Sequence, residues 1–217
     1  MKTVVITGIS RGIGKATAEK FLNEGWRIIG ISKTGNSPIQ HHNLEVQKID
    51  ISKPESINVF IEQFNKSDVR IDVLINNAGI SIDQGQSISM EILRKTLEVN
   101  LIGLIDLTEQ LLPKINDGGY IINLSSGLGS LADATSGNYP SYRISKVAVN
   151  MYTRTLSARL IDRNITVCSV DPGWVKTDMG GAGATRKPSE PAKEIYEMVT
   201  SKIDSGYFWH KGKKKSW

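Results

Sequence analysis

A tyrosine and a lysine four residues apart form the pair in this sequence that is best suited to proton transfer. Tyr142 and Lys146 lie in a stretch of helical composition, so their spacing predicts that they share one helix face. A phenol with a pKa of about 10 is a poor acid or base at neutral pH. A neighbouring ammonium group favours the phenolate and lowers that pKa, so the pair could protonate a carbonyl oxygen as hydride reaches the carbon. Taken alone, the same spacing is also common in exposed surface pairs.

Two nearby tyrosines have less suitable neighbours. Tyr139 is followed four residues later by Arg143, and Tyr152 is followed by Leu156. The Tyr152 side chain is therefore predicted to pack rather than to react.

Two serines end a predicted strand just before a glycine-rich turn. A hydroxyl of Ser125 or Ser126 could hydrogen-bond a substrate oxygen there, although strand-ending turns often carry serine for structural reasons alone. A serine hydrolase would need a histidine base after a late strand, and no histidine has that position. The three histidines are His41, His42 and His210. The sequence also lacks a cluster of zinc ligands, so we expect no metal site.

A glycine-rich turn joins the first predicted strand to the first predicted helix: Thr7-Gly8-Ile9-Ser10-Arg11-Gly12-Ile13-Gly14. Phosphate groups bind backbone N–H donors at the positive end of a helix dipole, and their close approach requires positions without a Cβ atom. The spacing Gly-x-x-x-Gly-x-Gly differs from the Gly-x-Gly-x-x-Gly fingerprint, and glycines alone would also suit a tight turn. The position between a strand and a helix favours a dinucleotide site.

The end of the second predicted strand bears on the choice of dinucleotide. An NAD site usually has a carboxylate there to bind the ribose hydroxyls. This strand ends Gly30-Ile31-Ser32-Lys33 without an acid. Lys33 and Arg11 would attract a 2′-phosphate, so the sequence predicts NADP(H) as the cofactor. The alternative is that Lys33 is only a solvated loop residue.

The elements around these residues alternate between strands and helices. Predicted strands cover residues 4–6, 27–31, 44–49, 71–75, 120–124 and 165–170, with a further edge strand near 206–209. Predicted helices cover residues 12–23, 89–115, 142–161 and 190–203, and another begins at Pro54. Strands that are apolar on both faces and alternate with helices predict a single α/β domain, residues 1–217, with a doubly wound parallel sheet of the Rossmann type. Ligands bind beyond the carboxyl ends of such strands, which is where the candidate residues fall.

Composition points to an ordinary globular protein. Of 217 residues, 39% are apolar and 23% are charged, and no apolar run approaches the length of about 20 residues that a membrane span needs. We therefore expect a cytoplasmic protein without membrane contact, and the single cysteine, Cys168, excludes an intrachain disulfide. Part of the net charge of +5 lies in the tail Lys211-Gly212-Lys213-Lys214-Lys215. A nucleic-acid contact is one interpretation of this tail, but without aromatic stacking residues we expect a solvated terminus and no nucleic-acid partner.

Together these features resemble the short-chain dehydrogenase/reductase family over nearly the whole chain. The glycine turn, the strand-ending serine and the Tyr-x-x-x-Lys pair occur in the family's order. Further matches in that order are Asp50-Ile51, Asn76-Asn77-Ala78-Gly79, Asn100 and Pro172-Gly173-Trp174-Val175-Lys176-Thr177.

The resemblance implies a role for each matched residue. Ser126 would polarise the carbonyl, Tyr142 would be the acid in reduction and the base in oxidation, and Lys146 would lower the tyrosine pKa and hold the nicotinamide ribose. Asn100 would support a water that links Lys146 to solvent. Ser126 is preferred over Ser125 because it lies three residues before Gly129, and Ser125 is the alternative if the strand register is shifted. The implied cofactor-binding residues, besides Tyr142 and Lys146, are Gly8, Ser10, Arg11, Gly12, Ile13, Gly14, Lys33, Asp50, Ile51, Asn77, Ala78, Gly79, Pro172, Gly173, Val175 and Thr177.

The segment after Pro172-Gly173 is similar to the carbonyl reductase and sniffer-like branch of the family. It is shorter than in many members, so residues 174–190 predict a short lid that is rich in glycine, an open pocket and loose choice among small carbonyl or alcohol substrates. The resemblance also implies homodimers or homotetramers, although the carbonyl reductase branch includes monomers. The alternative function is an NADP(H)-binding sensor without turnover, against which the complete catalytic set argues.

Overall fold

The strands form one sheet at the centre of the computed structural model, which describes residues 1–83 and 85–217. Within that part of the chain the sheet has eight strands in the order β3-β2-β1-β4-β5-β6-β7-β8. Neighbours are parallel except for the last pair, β7 and β8, which is antiparallel. The strands are β1 (Thr3–Thr7), β2 (Arg27–Ser32), β3 (Leu44–Lys48), β4 (Ile71–Asn76), β5 (Ile115–Leu124), β6 (Thr166–Val170), β7 (Phe208–His210) and β8 (Lys213–Lys215).

Helices cover both faces of this sheet, as expected from strands that are apolar on both sides. They are α1 (Gly12–Asn23), α2 (Pro54–Asn65), α3 (Met90–Leu97), α4 (Gly103–Leu111), α5 (Pro140–Arg159) and α6 (Ser189–Thr200). Apolar residues of α1 and α6 pack on one face, and those of α2, α4 and α5 pack on the other. None of the helices among residues 1–83 and 85–217 combines the length and the apolar character that a membrane crossing requires.

The first strand shows how the sequence produces two cores. All five residues of β1 are buried, and successive side chains of a strand point to opposite faces. Val5 accordingly packs with α2 and α4, whereas Val4 and Ile6 pack with α1 and α6. The predicted doubly wound parallel sheet is therefore confirmed.

Two elements differ from the sequence-based prediction. The predicted helix over 89–115 is interrupted by a π-helical turn, Glu98–Ile102, and ends in a 3-10 turn, after which β5 begins at Ile115. The basic tail, predicted to be a solvated terminus, forms β8 and pairs with β7. Residues 211–214 are exposed, as expected of a solvated segment, but the pairing with β7 and the ion pairs of Lys215 were not predicted, because composition reveals neither.

Candidate active site

The carboxyl ends of the central strands meet at one edge of the sheet. Gly8 follows β1, Asn77 follows β4, Ser125 follows β5 and Asp171 follows β6, and these strands are parallel neighbours. The edge thus gathers the segments that the sequence marked as functional.

The turn between β1 and α1 leaves little room for a side chain at its three glycines. Gly8 and Gly12 have φ values of +77° and +59°, in the left-handed region that favours glycine. A Cβ atom on Gly14 would lie 2.3 Å from the carbonyl oxygen of Gly8 and 2.3 Å from the Asn77 side-chain nitrogen. In the described chain no side chain caps the N-terminus of α1, and Ser10 and Arg11 before it are exposed. The turn therefore leaves backbone N–H donors of α1 free for an anion.

The segment after β4 holds this turn in shape. Asn77 Nδ2 donates to the carbonyl oxygens of Thr7, at 2.8 Å, and Gly8, at 3.2 Å. The Thr7 hydroxyl accepts hydrogen bonds from the backbone N–H groups of Asn77 and Ala78. Asn77 and Ala78 were both predicted to bind cofactor, and these hydrogen bonds show that they also support the turn itself.

The two cations predicted to bind a 2′-phosphate both lie beside carboxylates. Arg11 forms an ion pair with Asp178 at 2.7 Å, and Lys33 forms one with Asp50 at 2.8 Å. Partial burial would raise the pKa of Asp50, but hydrogen bonds from Lys33 and Ser52 outweigh that effect and lower it. Ile51, the other residue of the predicted adenine pair, packs in the core with 8% exposure.

The predicted lid is a loop closed by its own hydrogen bonds. Lys176 N donates to the Arg186 carbonyl at 2.8 Å, and Arg186 N donates to the Trp174 carbonyl at 3.0 Å. The lid reaches the glycine turn, since a Cβ on Gly12 would lie 3.1 Å from Thr177 Cγ2. At the base of the lid, Arg186 Nη1 donates to the carbonyl of Pro172, next to Gly173. These contacts connect the two ends of the loop and bring it against the glycine turn and the Pro172-Gly173 segment.

Tyr142 and Ser126 lie together at the end of β5. The Ser126 hydroxyl accepts a hydrogen bond from Leu128 N at 3.1 Å and lies close enough to the Tyr142 hydroxyl to influence its pKa, whereas the Ser125 hydroxyl is buried and turned toward the Lys146 carbonyl. This arrangement favours Ser126 over Ser125. Burial raises the pKa of Tyr142 to about 12, the neighbouring Ser126 hydroxyl opposes the rise, and the charge of Asp171 adds to it.

Lys146 lies one turn further along α5 in a dry environment. It is 3% exposed, its Nζ donates to the Leu124 carbonyl at 2.7 Å, and the same atom lies 5.5 Å from the centre of the Tyr142 ring. Burial lowers the pKa of Lys146 to about 8. Burial of Tyr142 itself thus raises its pKa, and the lowering of that pKa by Lys146 stays a prediction.

Asn100 lies in the π-helical turn and faces the same site. Asn100 Oδ1 accepts a hydrogen bond from Ile80 N at 2.8 Å. Its Nδ2 donates to the Ile80 carbonyl at 2.9 Å and to the Ser145 hydroxyl at 3.0 Å. A Cβ on Gly79 would lie 3.3 Å from Asn100 Oδ1 and 3.6 Å from Lys146 Nζ. Gly79 therefore lets the β4 segment pass close to both side chains, and the predicted water contact of Asn100 stays a prediction.

Two acidic residues that shape this site were missed in the sequence. Asp83 accepts hydrogen bonds from the backbone N–H groups of Ser141 and Tyr142, at 3.0 and 2.9 Å, and so caps α5 beside the tyrosine. Asp171 is 6% exposed at its side chain and lies 3.0 Å from Lys215 Nζ. Asp83 is 59 positions from Tyr142, so no local capping pattern could reveal it.

Comparison with known proteins places the chain in a family. Residues 2–187 match the family model for short chain dehydrogenases, and the chain therefore belongs to that family of oxidoreductases, whose members bind a nicotinamide cofactor. It is 33% identical over 218 residues to the 3-oxoacyl-[acyl-carrier-protein] reductase FabG of Thermotoga maritima, a match that covers 95% of this chain and 84% of the relative.

Two solved structures extend the likeness to the whole fold. A short-chain dehydrogenase/reductase from Burkholderia multivorans with bound NADP has a TM-score of 0.91 at 27% identity, covering 100% of this chain and 99% of the other. The carbonyl reductase Sniffer of D. melanogaster has a TM-score of 0.88 at 27% identity, covering 100% of both chains. The family resemblance drawn from the motifs is confirmed.

Proposed function

We propose that this oxidoreductase is an NADP(H)-dependent carbonyl reductase that acts on small aldehydes, ketones or quinones and can run in the alcohol-oxidising direction. The observation that carries the proposal is the meeting of Ser126, Tyr142 and Lys146 at the strand edge that also holds the glycine turn. A hydroxyl pair and a buried ammonium beside a phosphate cradle suit proton transfer to a carbonyl oxygen.

The glycine turn fits a dinucleotide. A Cβ atom at Gly8, Gly12 or Gly14 would crowd neighbouring protein atoms, so these glycines allow a tight turn, and the free N–H groups of α1 suit a pyrophosphate. When bound, the nicotinamide cofactor supplies or accepts the hydride. The residues Pro172, Gly173, Val175 and Thr177 would hold its nicotinamide end beside Tyr142.

The choice of NADP(H) over NAD(H) rests on Arg11 and Lys33. Their side chains are 77% and 75% exposed although each has a carboxylate neighbour. Ion pairs that exposed contribute only about 0–1 kcal/mol, so either cation can turn to a 2′-phosphate at small cost. The NADP bound in the similar protein from Burkholderia multivorans supports the same choice.

Ser126, Tyr142 and Lys146 would each have a separate role in proton transfer. Ser126 would orient the carbonyl oxygen toward Tyr142, whose raised pKa keeps the phenol protonated and ready to donate. The phenolate left behind would be stabilised by the Lys146 ammonium on the same helix face, and the neutral phenol would re-form from solvent. Burial of both side chains strengthens this interaction because water is largely excluded.

The decisive experiment follows NADPH oxidation with a panel of aldehydes, ketones and quinones, with NADH run in parallel. Tyr142→Phe should keep its NADPH dissociation constant and lose turnover by about 10²–10⁴-fold, since only the transferable proton is removed. Tyr152→Phe is the matched control, because that hydroxyl lies on the same helix and donates to Glu109 instead. NADPH binding without turnover on any carbonyl would favour the sensor, and near-normal Tyr142→Phe activity would mean that another group is the acid.

Self-association through α5 and the α3–α4 helix stays part of the proposal. Both helices expose apolar side chains, among them Ile102, Ile144 and Met151. Sedimentation velocity of the purified protein distinguishes a monomer from a dimer or tetramer.

A further inference from the structure

A lysine on β8 joins two acidic residues from different segments of the chain. Lys215 Nζ lies 3.0 Å from Asp171 Oδ2 and 3.1 Å from Asp133 Oδ2. Burial alone would lower the pKa of Lys215, but hydrogen bonds to both carboxylates outweigh it and raise the pKa, so the side chain stays charged. Lys215 therefore bridges segments that are separated in sequence.

The first of these segments leads to the predicted nicotinamide side of the site. Asp171 follows β6 and directly precedes Pro172-Gly173, and its Oδ1 accepts a hydrogen bond from Gly173 N at 2.9 Å. His210 Nδ1 approaches the other carboxylate oxygen at 3.3 Å. A Cβ on Gly127 would lie 2.9 Å from Asp171 Oδ2 and 3.2 Å from Lys215 Nζ, so the ion pair lies against the turn that follows Ser126.

The second segment is the loop over residues 130–139, which connects the turn after Ser126 to the helix that carries Tyr142. Asp133 belongs to this loop and most of its residues are exposed. The two residues after Lys215 hold the same loop: the carbonyl of Ser216 accepts from the Ser130 hydroxyl at 3.2 Å, and the carbonyl of Trp217 accepts from Ala132 N at 2.9 Å. The β8 segment thus contacts this loop at three consecutive residues.

We propose that Lys215 is a positioning residue for the substrate, because it fastens the 130–139 loop to Asp171 and so fixes the gap between the loop beside Tyr142 and the Pro172-Gly173 segment. The effect on substrate rests on the proposed function. The attachment of the 130–139 loop to Asp171 through Lys215 does not depend on it.

Three variants and a rescue separate this role from a general loss of structure. Lys215→Met removes both ion pairs, and Asp133→Asn removes only the loop side at a side chain that is 55% exposed and so leaves the fold intact. Lys213→Met is the matched control, since Lys213 is an exposed lysine on the same strand. Lys215→Arg keeps the charge and should restore wild-type behaviour.

The first readout needs no substrate. Hydrogen exchange of the free protein should be faster in residues 130–139 by about fivefold in Lys215→Met, with a smaller rise in Asp133→Asn and none in Lys213→Met. This measurement does not depend on turnover. It therefore shows whether Lys215 holds the 130–139 loop even if the wild-type protein reduces no carbonyl and the proposed function fails.

The second readout is kinetic. The KM of a carbonyl substrate should rise roughly tenfold in Lys215→Met, while kcat and the NADPH dissociation constant change less than about threefold. A purely structural role would instead change cofactor binding and kcat together. Unchanged exchange in residues 130–139 in both Lys215→Met and Asp133→Asn, or an unchanged substrate KM in an active enzyme, overturns the proposal.

Discussion

Lys146 is held in a site that disfavours its charge, and we predict that Lys146→Met makes the fold more stable while it abolishes catalysis. The side chain is 3% exposed, and its contact in the described structure is a hydrogen bond to the Leu124 carbonyl rather than an acidic partner. Methionine has similar length, suits a dry site and carries no charge that must be desolvated. Turnover should fall by more than about 100-fold because the phenolate of Tyr142 loses its counter-charge.

The size of the gain follows from the lysine pKa. Burial lowers it from 10.5 to about 8, and at about 1.4 kcal/mol per pKa unit this corresponds to about 3 kcal/mol against the folded state. The lost hydrogen bond to Leu124 offsets about 1 kcal/mol. We therefore expect Lys146→Met to raise the free energy of unfolding at pH 7 by about 2 kcal/mol.

The sign of the pH dependence is fixed by the same values. Below pH 8 both states carry the proton and the wild-type protein bears the full cost. Between pH 8 and 10.5 the unfolded state binds more protons than the folded state, so wild-type stability rises with pH relative to the variant. By pH 10 the difference in free energy of unfolding between Lys146→Met and the wild-type protein should have shrunk to about zero.

Urea unfolding followed by tryptophan fluorescence at pH 7 and pH 10 measures both quantities. Lys213→Met, at an exposed position, is the control and should change stability little at either pH. A Lys146→Met protein that is less stable than wild type at pH 7, or a difference that stays constant between the two pH values, would refute the reasoning.

Three further predictions concern the pH profile, the glycine cradle and the cofactor preference. The kcat/KM of carbonyl reduction should decline as pH rises through about 8, where Lys146 loses its charge in the free enzyme, and a level profile to pH ~9.5 would contradict that assignment. Gly14→Ala should lower the free energy of unfolding by about 1–3 kcal/mol and weaken NADPH binding in a titration, because its Cβ has no space. Gly137→Ala, where the nearest atoms are 3.9 Å away, should do neither. Arg11→Gln and Lys33→Gln should each raise the KM for NADPH by roughly tenfold and leave that for NADH unchanged, and an equal rise for both cofactors would remove the 2′-phosphate assignment.

Local periodicity accounts for most of what the sequence predicted correctly. Tyr142 and Lys146 are four residues apart in a helical stretch, so helix geometry alone places them on one face. The glycine turn was recognisable because its backbone conformations and close contacts exclude side chains at Gly8, Gly12 and Gly14. Strands with apolar residues on both faces, separated by helices, required a parallel sheet covered on both sides, and this placed the segments after β1, β4, β5 and β6 at one edge.

Contacts between distant segments account for what the sequence missed. Asp83 caps the helix of Tyr142 from 59 residues away, and Lys215 reaches Asp171 across 44 residues. The lysine-rich tail has the composition of a solvated segment, yet it becomes β8 because β7 offers it a free edge.

The direction of the pKa changes also required the tertiary structure. From spacing alone, Lys146 should lower the pKa of Tyr142, whereas burial raises the tyrosine pKa to about 12 and lowers the lysine pKa to about 8. The sequence by itself thus determined that Tyr142 and Lys146 share a helix face, since that periodicity is written in local residue types. Only the packed structure decided how strongly each group holds its proton, because desolvation depends on every segment that closes over the site.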